Sequence, residues 1–152
     1  MIKKTLVLIP LLLLVGCSSK YSLDEYVPAY NSLCKTEKAQ GGIRFFAMPL
    51  SEDYEVAKWG MALDSGMRVL LWAVPKSHVA FEQVFLESEG LKVDLVSMSK
   101  MRNFELDSPD MFVLVFPEKL KKSTLHVRGI SDGIGNITLD LKDCSGIRLS
   151  RD

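Results

Sequence analysis

Apolar residues along this chain fall into three patterns. The first is dense. Met67–Val74 carries Val69, Leu70, Leu71, Trp72 and Val74 and stops at Pro75, and Met111–Phe116 stops at Pro117. Runs this short and this apolar predict buried strands. Ile43–Met48, ending at Pro49, predicts another. The second pattern alternates. Leu125–Ile130 and Ile137–Lys142 change polarity at nearly every residue, and Ser131-Asp132-Gly133-Ile134-Gly135-Asn136 between them is rich in turn formers. This predicts a hairpin with one wet face. Leu125 and Val127 fall on one side, and Thr124, His126 and Arg128 on the solvent side.

The third pattern is mixed. In Asp24–Gln40, Tyr26, Tyr30, Leu33 and Cys34 recur at helical spacing, but Pro28 suits only a first helical turn. A short helix or irregular lead-in, broken at Gly41-Gly42, is expected. Tyr54–Leu63 is ambiguous between helix and strand. Asp64-Ser65-Gly66 marks a turn. Val79–Glu87 and Leu91–Ser97 flank Ser88-Glu89-Gly90 and predict a hairpin, with an amphipathic helix over 77–89 as the alternative. About seven short strands separated by turn signals predict a mainly β fold. The expected architecture is an antiparallel β-sandwich with a short N-terminal helix or irregular lead-in, an α+β fold being the runner-up.

The N-terminus follows different rules. Lys3-Lys4 precedes Thr5–Val15, an almost wholly apolar stretch containing Pro10, and Leu14-Val15-Gly16-Cys17 closes it. The stretch is shorter than the ~20 residues of a bilayer-spanning helix and matches a signal-peptide core. Charge, apolar run and tetrapeptide, in that order, resemble the lipobox of bacterial lipoproteins. The resemblance covers residues 1–17. It implies cleavage after Gly16, a diacylglycerol thioether on Cys17 and acylation of the new amino terminus. Two or more acyl chains, at about 0.8 kcal/mol per buried methylene, give stable anchoring. Ser18-Ser19 in place of an Asp after the cysteine implies, in the enterobacterial sorting pattern, the outer membrane. The expected organisation is a signal peptide over 1–16, lipidated Cys17 with a tether to residue 23, and one periplasm-facing globular domain over 24–152.

The chain has 152 residues, 47% of them hydrophobic, with 19 basic and 19 acidic side chains. That suits one domain with a core and excludes a strongly charged disordered chain. Loss of residues 1–16 removes Lys3 and Lys4 and leaves a net charge of about −2 by side-chain counting. Such a balance argues against a basic nucleic-acid-binding domain. With Cys17 lipidated, Cys34 and Cys144 remain. In an oxidising periplasm they read as a structural disulfide joining the two ends of the domain. They lack CxxC spacing and a neighbouring histidine, so redox and metal chemistry find no support.

The catalytic inventory is thin. His78 and His126 are the two histidines and have no zinc-type spacing. Ser77 precedes His78 outside any nucleophile-elbow motif. The acidic residues Glu52, Asp53, Glu55, Glu82, Glu87, Glu89, Asp107 and Asp110 offer carboxylates, as any soluble surface does. Asp132–Asn136 lacks the closing glutamate of a calcium loop and reads as a hairpin turn. Met98 and Met101 form the one close methionine pair, weighed as a copper site, as core or as a protein-contact surface. Lys119, Lys121 and Lys122 read as a solvated run or as a contact for anionic lipid near the anchor. Trp59, Trp72 and the phenylalanines are core candidates, with Trp59 also a surface anchor if its segment is a loop.

No catalytic residue, metal or cofactor is therefore assigned. The expectation is a non-enzymatic, outer-membrane-anchored lipoprotein that binds a protein partner in the envelope through loops or a sheet edge, and binds no nucleic acid. In size and layout alone the mature domain resembles periplasmic immunity lipoproteins that neutralise toxins delivered by type VI secretion. An accessory of envelope assembly or secretion is the alternative, and an envelope enzyme comes third.

Overall fold

The structure is a computed structural model that describes residues 19–62, 65–75, 79–101 and 110–151. The signal segment, Cys17, Ser77, His78, Phe104 and Asp107 lie outside the described residues. The elements run β1 (Ser19–Tyr21), α1 (Leu23–Cys34), β2 (Thr36–Gln40), β3 (Ile43–Leu50), α2 (Glu52–Trp59), β4 (Met67–Val74), β5 (Gln83–Ser88), β6 (Leu91–Asp94), β7 (Ser97–Met101), β8 (Met111–Phe116), β9 (Ser123–Ile130), β10 (Gly135–Leu141) and β11 (Ile147–Leu149). The fold is mainly β, a sandwich-like α+β arrangement. A five-stranded sheet, β2-β3-β4-β8-β7, packs on a four-stranded sheet, β10-β9-β5-β6, and all neighbours in both are antiparallel. β1 and β11 form a separate parallel pair.

The hydrophobic pattern explains the layering. On β9 and β10, Leu125, Val127, Ile137 and Leu139 turn inward and are fully buried or nearly so, while the residues between them face outward. One face is wet, so polarity alternates. β3 is buried on both faces. Phe45 and Ala47 join Val69, Leu71, Leu86, Leu114 and Phe116 in the core between the sheets. Met48 and Leu50 point the other way and pack with Leu70 under Tyr26, Tyr30 and Cys34 of α1. A strand between two apolar layers reads as a continuous apolar run.

Several expectations are corrected. Eleven strands are present among the described residues, not about seven. The segment 24–40 divides into α1 and β2. Pro28 lies in the second turn of α1, where Tyr26, Tyr30 and Cys34, spaced by four, bury one face against β3 and offset the missing hydrogen bond. Leu33 falls off that face and is exposed. β3 does not stop before Pro49. Pro49 pairs with Val69 of β4, and β2 begins opposite Ala47 and runs away from Pro49, so no residue of β2 pairs with it. Within the ambiguous segment, helix α2 ends at Trp59, and Leu63 lies outside the described residues. Residues expected to be a free tether include β1, whose Ser19, Lys20 and Tyr21 pair with Ile147, Arg148 and Leu149. The expected hairpin, by contrast, is present as β5–β6 in place of its helical alternative, turning at Glu89-Gly90 with φ of 51° and 76°. Ser97 belongs to β7 in the other sheet.

Candidate functional site

Ser51 knots the helical layer to the sheets. It caps α2, its Oγ accepting the Tyr54 N–H at 3.0 Å, and the same Oγ lies 2.9 Å from the Tyr26 hydroxyl. The Ser51 N–H donates to the Tyr30 hydroxyl, which itself donates to the Pro49 carbonyl. The Tyr54 hydroxyl donates to Asn31 Oδ1 at 3.1 Å, joining α2 to α1. Burial raises the Tyr26, Tyr30 and Tyr54 hydroxyl pKa values above the ordinary 10.0. Cys34 and Cys144 lie in this layer with sulfurs at bonding distance and Cα atoms 6.0 Å apart. On its far side, buried Glu55 meets Arg68 of β4 at 3.2 Å.

The two lateral edges of the sandwich differ. Where β2 and β10 approach, side chains stitch the sheets together. Gln40 Nε2 donates to the carbonyls of Ile134 (2.7 Å) and Asn136 (3.1 Å), and Thr36 Oγ1 donates to that of Asp140 (2.7 Å). At the opposite edge lie β6 and β7, joined through Leu95-Val96. Among the described residues each has a strand neighbour on one side only. Ser97, Met98, Ser99 and Lys100 are all exposed. Large apolar side chains also face solvent here: Leu91 is 71% exposed, Val96 64% and Met98 46%. An edge with unpaired backbone groups and apolar side chains is a template for another strand.

A groove of about 380 Å³ lies at one end of the molecule, beside α2 and Cys144. Lys119 and Lys121 line it, joined from other parts of the chain by Lys142 and Arg148. Lys122 instead lines a neighbouring depression with Glu87, Glu89, Asp140 and Ser123. The basic run is therefore divided between two surfaces.

The remaining candidates are dispersed. His126 lies on the outer face of its sheet, as expected, but is half-buried. It stacks on Phe85 with centroids 4.6 Å apart and meets Glu87 at 3.4 Å. Phe85, a core candidate, is buried on that outer face beneath His126, Lys92 and Arg128. Asp53 is held by Arg151 and the Leu149 N–H, and Asp110 pairs with Lys100. Asn136 Oδ1 accepts the Gly129 N–H within the β9–β10 hairpin. Met98 and Met101, three apart on one strand, point to opposite faces: Met98 lies opposite Leu114, and Met101 packs with the tyrosine layer. Trp59 ends α2 and is 40% exposed, while Trp72 stacks on Phe46 at 5.3 Å. No group of three or more His, Cys, Asp or Glu able to hold a metal occurs among the described residues. No described helix is long and apolar enough to cross a membrane.

The β6–β7 edge escaped sequence reasoning because its strands carry no clear alternation. The one available signal was Met98 as a protein contact. Comparison with family models, curated proteins and solved structures gave no match to this chain.

Proposed function

We propose that this chain is a lipoprotein anchored through Cys17 in the outer membrane, facing the periplasm. It binds a protein partner without catalysing a reaction. The partner adds a strand to β7 and packs apolar side chains against Leu91, Val96 and Met98. The observation that carries this reading is the asymmetry of the sandwich: side chains seal the β2–β10 edge, while β6 and β7 have outer sides free of strand partners among the described residues. Backbone hydrogen bonds would supply affinity, and the exposed side chains selectivity. A secreted toxin is the partner in the immunity-type reading, and an assembly or secretion component in the alternative.

Site-specific photo-crosslinking in the native envelope tests this. A photoreactive residue at Ser99 should capture a discrete protein, and one at Lys38 on the stitched edge should not. Val96→Asp and Met98→Asp should abolish the adduct while leaving the fold intact, since both sites are exposed. A toxin in the adduct supports the immunity reading, and a machine component the accessory reading. Equal capture at both edges, or none at Ser99, would refute edge binding.

A further inference from the structure

We propose that the groove beside Cys144 seats the anionic headgroup of a lipid in the membrane to which Cys17 is anchored. The inference rests on the anchored reading above. Four cations reach the groove from three places: Lys119 and Lys121 between β8 and β9, Lys142 just after β10, and Arg148 on β11. None of the four is in an ion pair among the described residues, whereas Arg44, Arg68, Lys92, Lys100 and Arg151 are. Three acids also line the groove, and two are engaged. Asp53 accepts from the Leu149 N–H and Arg151, both at 2.9 Å, and Asp143 accepts from the Ser145 N–H at 3.1 Å and also feels the charges of Lys121 and Lys122, which help hold its carboxyl below the usual range. Glu52 is the third. Leu50 and Leu141, both buried, also line the groove and give it apolar surface. Cations and apolar surface in one groove match a headgroup phosphate and the glycerol behind it.

Chain connectivity supplies the orientation. Arg148 is directly opposite Lys20 in the β1–β11 pair, and Ser19 donates to the Gly146 carbonyl at 2.9 Å. Cys17 precedes Ser19 by two residues, which span at most about 7 Å of extended chain. A bilayer holding the Cys17 acyl chains therefore lies against the end of the molecule that carries Arg148 and Ser145. Arg148, opposite Lys20, is thereby held within a few residues of the anchor, and a membrane's surface potential decays over about 8 Å at physiological salt.

The test uses the full lipidated chain reconstituted through its anchor. One set of vesicles is phosphatidylcholine alone, and the other contains about 30% phosphatidylglycerol, a typical strongly anionic surface. Lysines are footprinted with an acylating reagent and quantified by mass spectrometry, which also weighs the N-terminal peptide. Lys119, Lys121 and Lys142 should react about fivefold more slowly on the anionic vesicles, with Lys38 unchanged. The protection should fade at high salt and in Arg148→Glu. An acylated Cys17 with equal groove labelling on both vesicles would overturn the headgroup site alone. So would slowing that extends to Lys38, or that persists in Arg148→Glu. A Cys17 without acyl chains would overturn the anchor and the headgroup site together.

Discussion

Replacing Cys34 and Cys144 together by alanine should remove about 5 kcal/mol of stability. The two residues are 110 positions apart. In the loop-entropy account, closing a loop of that length restricts the unfolded chain by about 16 cal/mol/K, or about 5 kcal/mol at 25 °C. Domains of this size are commonly stable by only about 5–15 kcal/mol, so the loss takes a third or more of the total. With a urea m-value of about 2 kcal/mol/M, the unfolding midpoint should fall by about 2.5 M. The damage should begin locally. Cys34 ends α1 and Cys144 lies between β10 and β11, so the bridge clamps the helical layer and the groove wall to the sandwich. Reductant should shift the wild-type curve towards that of the double variant and leave the variant unmoved. Hydrogen exchange should then speed up in α1 and β11 before β9 and β10. Free thiols in the native protein, or a midpoint shift below about 0.5 M, would refute the reasoning.

Two further outcomes follow from other parts of the fold. Tyr26, Tyr30 and Tyr54 have hydroxyl pKa values raised above 10.0 by burial, so their stabilising effect is complete below pH 10 and is lost as pH rises through the folded-state values. Urea midpoints should be flat from pH 7 to about 9 and fall beyond about 10, and tyrosinate absorbance should rise together with unfolding; full tyrosinate absorbance at pH 11 in a folded chain would contradict this. Gly66 holds φ at +82°, and a Cβ there would come within 2.3 Å of the Phe116 carbonyl oxygen, so Gly66→Ala should cost about 2–4 kcal/mol; thermal unfolding within about 2 °C of wild type would show that the close approach is not maintained in solution.

Legibility followed how completely each element is covered. β4 and β8 read plainly from the sequence, as did the β9–β10 hairpin, because burial on two faces or on one leaves a dense or an alternating signature. β2 and β7 sit at sheet edges with mostly exposed residues, so Thr36–Gln40 and Ser97–Met101 carry no periodic signal, and β2 read as a continuation of the helix. In α2 the fully buried residues are adjacent, Tyr54 and Glu55, and one is a carboxylate held by Arg68. No apolar stripe could announce that helix. Its end signals could: Ser51 at the cap, acids in the first turn, Lys58 in the last and Gly60 in the left-handed region beyond.

The same reasoning applies to the two surfaces proposed to act. Lys119 and Lys121 were visible as a run, but Lys142 and Arg148 reach the same groove only through the β10–β11 connection, and no local spacing encodes that meeting. The β6–β7 edge emerges only once the opposite edge is seen to be stitched by Gln40 and Thr36. The position of β1 then relates the surfaces to the anchor. Because the sheet pairing starts at Ser19, almost no chain separates Cys17 from the fold. A long flexible linker would let the domain tumble and present any face to the membrane. In the anchored reading proposed above, a linker this short would hold one end against it, bring the cationic groove to the lipid, and restrict the orientations in which a periplasmic partner could meet the open edge. Lengthening the chain between Cys17 and Ser19 with a flexible insert should therefore weaken the headgroup contact by lowering its effective concentration, while sparing capture at Ser99. Loss of both on insertion would mean that the two surfaces are a single interface.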